Sequence, residues 1–205
     1  MSELIALWMP IMASAVASFV ASFVSWVISG HHNPDWAAMP DQAENVRKLG
    51  ELNLPTGRYV FPCARTRKEM DDETVKAVVD SGPWGTINLW GSSPNMGRNL
   101  GLTFLFYFVT AVFVAYLGTL ALDAGAGFSK VFQVTGTAAI LAHCFAFMPN
   151  NIWFGAPRRG ILMDVLDGIV YSLIPERSLE RCGRKRVFTA FHADLWPRRT
   201  FFYRS

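Results

Sequence analysis

The residues between Glu3 and Asp35 include no Asp, Glu, Lys or Arg, and this uncharged run constrains the chain more than any other feature. Its apolar part, 4–28, has 25 residues, whereas about 20 are enough to cross the hydrocarbon core of a bilayer. A cleavable signal peptide would begin with basic residues and have an apolar core of roughly 7–15 residues. Here the only early charge is Glu3. The run therefore predicts an uncleaved transmembrane helix.

Two further apolar runs lie at 100–122 and 131–148, and a fourth, at 161–174, has only 14 residues. The charged share of 17% is below the roughly 25% of soluble domains. We expect a mainly α, polytopic membrane helix bundle with three full transmembrane helices and a short fourth. The expected parts are a first transmembrane helix at 1–30, an extramembrane α+β cap at 31–99, transmembrane helices two to four at 100–174 and a basic-aromatic tail at 175–205.

The polar segment 31–99 is too long for a structureless loop, and its patterns predict small elements that form the cap. Asp41 and Glu44 have capping-box spacing before a helix at 42–49. The other expected elements are an extended run at 58–61, a helix at 72–80 capped by Asp71 or Asp72, and a strand at 84–90.

Small residues recur every four positions along the first helix. They form two adjacent rows, Ser14, Ser18 and Ser22 in one and Ala13, Ala17, Ala21 and Ser25 in the other. Such rows let another helix backbone approach closely in lipid. They indicate either packing within the chain's own bundle or association with a second copy or a larger membrane complex.

Three polar residues of the last apolar run share one helical stripe, since Asp164, Asp167 and Tyr171 stand at i, i+3 and i+7. An acid at mid-bilayer depth costs about 2.5–3.5 kcal/mol on insertion scales, so such groups face a bundle interior, form pairs or exchange protons. His143 in the third helix is the expected partner of the two acids. His143, Asp164 and Asp167 are candidates for a hydrogen-bonded packing pair, for acids wetted near the membrane surface, for a proton or ion relay that would include Tyr171, or for a metal site.

A second polar cluster, HHNPDW, follows the first helix where it leaves the membrane. His31 and His32 cannot share one helical face, but an irregular turn favoured by Asn33-Pro34 lets them converge with Asp35. Imidazole and carboxylate groups both bind divalent metals. One hypothesis is therefore a divalent-metal site, and the other is a polar collar at the membrane surface.

The tail at 175–205 holds eight Lys or Arg and three acids. One hypothesis is a basic-aromatic segment on anionic lipid, with Arg184, Lys185 and Arg186 near the headgroups. The other is a divergent or frame-shifted tail. Because the net charge of +3 comes largely from this tail, no basic field covers the molecule, and we expect no nucleic-acid partner.

Arginines near the helix ends predict the orientation of the cap. Arg98, Arg158 and Arg159 lie on the cap side and Lys130 on the other side, so the positive-inside rule places the cap in the cytoplasm. The chain has no G-x-S-x-G, P-loop, H-E-x-x-H or post-strand G-x-G-x-x-G motif. Enzymatic activity is therefore unsupported, and no cofactor follows from the sequence.

Several motifs together carry a resemblance that covers residues 1–174. They are HHNPDW, MPD, GRYVFP, GPWGTINLWGSSPNMGRNL, FVAYLG, NNIWFG and DGIVYSLI. With them the chain resembles a family of small bacterial four-helix integral membrane proteins to which no activity is attached. The resemblance implies four membrane helices with one large loop, and it brings no catalytic residues.

The sequence favours a non-enzymatic, multi-pass protein of the bacterial inner membrane that packs with itself or with a larger membrane complex. The alternative is a proton or divalent-metal carrier or sensor that uses the intramembrane His and Asp residues. An enzyme acting on a lipid-soluble substrate is the third hypothesis.

Overall fold

A computed structural model describes residues 2–123 and 125–174, and the structural statements below concern these residues. The predicted headgroup contacts Arg184, Lys185 and Arg186 lie outside the described residues, as does the whole segment 175–205. Their role stays a prediction.

The described chain is a helical bundle with a small sheet. The elements are α1 (Ser2–Ala6), α2 (Trp8–Phe23), α3 (Gln42–Glu51), β1 (Gly57–Phe61), α4 (Arg67–Met70), α5 (Glu73–Ser81), β2 (Gly85–Leu89), α6 (Met96–Ala121), α7 (Phe128–Ile140), α8 (Met148–Trp153) and α9 (158–174). Two π-helical turns, Val24–Ile28 and Leu141–Phe145, extend α2 and α7. The predicted fold class, a mainly α bundle with a small α+β cap, is confirmed.

Within the described residues, three helical stretches are long and apolar enough to cross a membrane: Trp8–Ile28, Met96–Ala121 and Phe128–Trp153. They correspond to the three predicted transmembrane helices and indicate a multi-pass membrane protein. The third stretch continues past the predicted end at 148 through α8, which has Pro149 in its first turn. At that position the missing proline N–H leaves no helical hydrogen bond unmade.

The small-residue face of α2 packs inside the bundle. Ser14, Ser18 and Ala15 are almost fully buried, and α2 makes its main helix contact with α6. Ala15 shares a core cluster with Ala115 of α6. Close approach of two helices through small side chains is the usual way in which helices associate in lipid. The serine row therefore packs within the chain, whereas Ala13 of the neighbouring row is exposed.

The cap is organised around a two-stranded sheet. Strands β1 and β2 pair antiparallel, with Gly57 opposite Leu89 and Phe61 opposite Gly85. Helix α5 begins after Asp72, whose carboxylate accepts hydrogen bonds from the Thr74 and Val75 amides. These bonds satisfy N–H groups that the first helical turn leaves unpaired. The hydrogen bond from the Thr74 hydroxyl, followed by the two amide bonds, holds the pKa of Asp72 below its usual value.

The predicted capping box before α3 is wrong in its details. Asp41 adopts a left-handed conformation with φ of 43° and its side chain makes no capping hydrogen bond. The Glu44 amide donates instead to the backbone carbonyl of Asp41 at 3.0 Å. The helix thus begins at the predicted place with a backbone turn in place of a side-chain cap.

Candidate functional site

The chain reverses direction where α2 leaves the bundle, and this reversal creates the site. The π-helical turn Val24–Ile28 brings in Ser25, and Gly30, with φ of 66°, begins a tight turn. A 3-10 turn at Asn33–Asp35 follows directly. π-Helical turns occur often at functional sites. Here the result is that the side chains after Ile28 reach α9.

Asp167 of α9 is the centre of the site. Its Oδ2 accepts hydrogen bonds from the Tyr171 hydroxyl at 3.1 Å and from the Ser25 hydroxyl. The same oxygen lies 3.0 Å from His32 Nε2, and Oδ1 lies 3.2 Å from His31 Nε2. The Asp167 side chain is only 13% exposed. One carboxylate therefore connects the exit of the first membrane helix to the last helix.

His32 lies between two carboxylates. Its Nδ1 is 2.9 Å from Asp35 Oδ2, its Nε2 faces Asp167, and its side chain is 3% exposed. The ring stacks on Trp26 with centroids 3.8 Å apart. Burial lowers the pKa of His32, but hydrogen bonds to Asp167 and Asp35 outweigh it and raise the pKa above its ordinary value. Because neutral imidazole has only one N–H, hydrogen bonds to both carboxylates require the imidazolium.

Arg159, in the first turn of α9, holds the far side of Asp35. Its guanidinium donates to Asp35 Oδ1 and, through Nη2, to the His31 carbonyl oxygen at 2.7 Å. Burial alone would raise the pKa of Asp35, but the hydrogen bonds from His32 and Arg159 lower it. Since Arg159 balances Asp35, the Asp167 carboxylate is left to balance another cation. That cation is either an imidazolium or a metal ion.

His31, His32 and Asp167 are arranged as a metal-ligand set. Their ligand atoms lie within 4.8 Å of one another. Tetrahedral zinc with bonds of about 2.0–2.1 Å separates neighbouring ligand atoms by about 3.4 Å. Each imidazole lies near this distance from one Asp167 oxygen, His32 Nε2 at 3.0 Å from Oδ2 and His31 Nε2 at 3.2 Å from Oδ1. The Asp35 carboxylate accepts a hydrogen bond from Nδ1 of His32, the ring nitrogen that does not face Asp167. Carboxylates commonly orient metal-binding imidazoles in this way. The geometry therefore fits a divalent ion after small side-chain shifts.

The structure groups the predicted residues differently from the sequence. The sequence predicts His143 of the third helix as the partner of Asp167, whereas the structure brings Asp167 to the HHNPDW cluster. Asp164 lies one turn before Asp167 and acts on the cluster through its charge, which contributes to the raised pKa of His32. The relay candidates Asp167 and Tyr171 are thus joined to the residues predicted to bind metal.

His143 occupies a separate, aromatic environment. It is buried in the π-helical turn Leu141–Phe145, and its ring centroid lies 5.7 Å from Tyr107 and 6.2 Å from Tyr171. Tyr171 is the residue that touches both regions, because its hydroxyl donates to Asp167. In the described part of the chain, the expected pairing of His143 with the two acids is replaced by aromatic packing.

Three residues of the site were not identified from the sequence as site residues. The small-residue spacing predicts packing for Ser25, the bulky side of the same helix predicts lipid contact for Trp26, and the positive-inside rule uses Arg159 only as an orientation signal. Ser25 and Arg159 both hydrogen-bond to the site's carboxylates. The sequence signal for them was weak, since it consists only of polar or aromatic residues near the ends of apolar runs.

No protein-family model matches this chain, and comparisons with curated proteins and with solved structures also give no match. The resemblance to a bacterial membrane-protein family stays a prediction, and the site must be interpreted from its own geometry.

Proposed function

We propose that this chain is a multi-pass protein of the bacterial inner membrane that binds one divalent transition-metal ion and serves as a carrier or sensor of that ion. One observation carries the proposal. His31, His32 and Asp167 present three ligand atoms within 4.8 Å of one another, and Asp35 holds the remaining nitrogen of His32.

The ligand types select the class of metal. Two imidazoles and one carboxylate suit zinc, iron and similar first-row ions, whereas calcium and magnesium prefer oxygen ligands. Three protein ligands also leave an open coordination position, unlike the four of a closed structural zinc site. The His31 side chain is 32% exposed, which gives solvent a route to the ion. Reversible binding, as a carrier or sensor needs, is the use that this geometry favours.

The position of the site supports a role at the membrane surface. His31 follows the first candidate span, Trp8–Ile28, by three residues, so the site lies at the edge of that span. The bacterial inner membrane is proposed from the family resemblance, and the cytoplasmic side from the arginines on the cap side.

Action through association is the less favoured proposal. The serines of the small-residue rows, Ser14 and Ser18, are buried within the chain, and α2 packs mainly on α6, so these residues are not available to an external partner. A homo-oligomer or a larger membrane complex stays a prediction.

The proposal is tested by the zinc content of detergent-purified protein that has been incubated with excess Zn²⁺ and desalted. We expect about one zinc per wild-type chain, because a mixed N and O ligand set of this kind retains zinc. The double variant His31→Ala/His32→Ala should retain almost none. His143→Gln is the matched control, since it removes a histidine outside the ligand set, and it should retain zinc like the wild type.

Two results of this assay would count against the metal site. One is a wild-type chain without zinc after desalting, which would make the cluster a hydrogen-bonded tether between α9 and the exit of α2. The other is a double variant that retains as much zinc as the wild type.

A further inference from the structure

A cavity of about 760 Å³ lies between the cap hairpin and α8. Val60 and Trp84 line it from the hairpin, and Trp153 and Phe154 line it from α8 and the residue after it. Thr86 and Asn150 add polar atoms to an otherwise apolar wall. This volume falls within the range of about 300–1,000 Å³ typical of small-molecule sites. The cavity is therefore large enough for a ligand of substantial apolar surface.

The aromatic walls of the cavity point to lipid as the surrounding medium. Trp84 is 67% exposed and Trp153 is 84% exposed, although tryptophan contributes a large apolar surface. Trp153 is the last residue of the third candidate span. Tryptophan is enriched at the membrane–water interface, where one part of its ring system is in apolar surroundings and its N–H is in polar ones. The cavity thus opens where phospholipid headgroups meet acyl chains.

The Arg58 side chain lies close to the cavity wall. The Arg58 guanidinium carbon is 5.1 Å from the centroid of the Phe154 ring, and Phe154 lines the cavity. Among the ion pairs of residues 2–123 and 125–174, none involves Arg58. An apolar cavity with an arginine against one of its wall residues, Phe154, complements an amphiphile with an anionic head.

We infer that this cavity binds one anionic phospholipid, with an acyl chain against Trp84 and Trp153 and the phosphate beside Arg58. The inference concerns a different group of residues from the metal ligands and goes beyond metal binding. It gives the cap a defined attachment to the membrane surface, because the lipid would contact both the hairpin and α8.

The test is native mass spectrometry of the full chain, released from detergent after incubation with equimolar phosphatidylglycerol and phosphatidylcholine. We expect the wild type to retain one phospholipid and to prefer phosphatidylglycerol by about fivefold, the effect of one basic residue near an anionic headgroup. Arg58→Gln should abolish the preference. Arg65→Gln, which removes another exposed arginine of the cap, should leave it unchanged.

A second variant tests the cavity independently of the charge. Thr86→Trp places a large side chain in the cavity wall and should reduce retention of both phospholipids. The inference is overturned if the wild type retains no phospholipid, if it retains the two equally, or if Arg58→Gln keeps the preference. Retention by Thr86→Trp at the wild-type level would equally overturn it.

Discussion

Replacing Asp167 by Asn is expected to abolish stoichiometric zinc binding. The variant keeps the size and one carbonyl oxygen of the side chain but removes the negative charge that faces both imidazoles, at 3.0 and 3.2 Å. Changes to groups that only support a metal ligand cost about 10–100-fold in affinity, so loss of a charged ligand should cost more than about 100-fold. The measurement is a competition titration with a chromophoric zinc chelator in detergent.

Two neighbouring acids provide graded controls for this titration. Asp35→Asn removes the charge behind His32 without removing a ligand, so we expect zinc affinity to fall by about 10–100-fold. Asp164→Asn removes a charge of the same helix one turn away, outside the ligand set, and should have the smallest effect. The metal-site account predicts this order of the three variants. Equal losses in all three, or a larger loss for Asp164→Asn, would contradict it.

The same variants must be compared as metal-free proteins. Asp167 also accepts hydrogen bonds from Tyr171 and Ser25, so the substitution changes packing as well as charge. Asn at this position can still accept hydrogen bonds from the two hydroxyl groups. We therefore expect metal-free Asp167→Asn to retain wild-type helicity, measured by circular dichroism. This comparison separates loss of a ligand from loss of the fold.

Gly168→Ala is expected to destabilise the bundle strongly. A Cβ atom at this position would lie 2.7 Å from Cys144 Sγ and 2.8 Å from the His143 carbonyl oxygen. The second contact is with backbone, which cannot rotate away, so α9 must shift away from the π-helical turn of the third span. Overpacking of this kind costs about 1–3 kcal/mol or more. The measurement is the unfolding temperature of the purified protein in detergent micelles.

Gly160→Ala is the matched control, because a Cβ atom there meets its nearest neighbour, in Asp35, at an ordinary 3.7 Å. It replaces a glycine of the same helix, and its unfolding temperature should stay close to that of the wild type. Combining Gly168→Ala with Cys144→Ala should restore only part of the loss, since the His143 carbonyl contact remains. The predicted contact between α9 and the His143 carbonyl would be contradicted by either of two results. One is an unfolding temperature fully restored in the double variant, and the other is an unchanged unfolding temperature for Gly168→Ala alone.

The helices and the cap could be predicted from the sequence because their signals are local. Uncharged apolar runs predict the three spans, runs between Pro and Gly residues predict β1 and β2, and an aspartate cap predicts α5. The site could not be assembled in the same way. His32 and Asp167 are 135 positions apart. The sequence does not show which helices lie side by side, so residue spacing cannot bring these two residues together.

A local departure from α-helical geometry also made part of the site unpredictable from residue spacing. The π-helical turn Val24–Ile28 interrupts the regular α-helical row that placed Ser25 among packing residues. Burial and hydrogen bonding then decided which polar residue paired with Asp167. His143 is adjacent to aromatic rings, whereas His32 is fixed between two carboxylates.

X-ray absorption spectroscopy of the zinc-loaded wild-type protein tests the central claim most directly, because it reports the ligand atoms themselves. The account predicts two imidazole nitrogens and oxygen donors at about 2.0–2.2 Å. A sulfur shell at about 2.3 Å, or an oxygen-only shell without imidazole, would contradict the assignment of His31, His32 and Asp167 as the metal ligands.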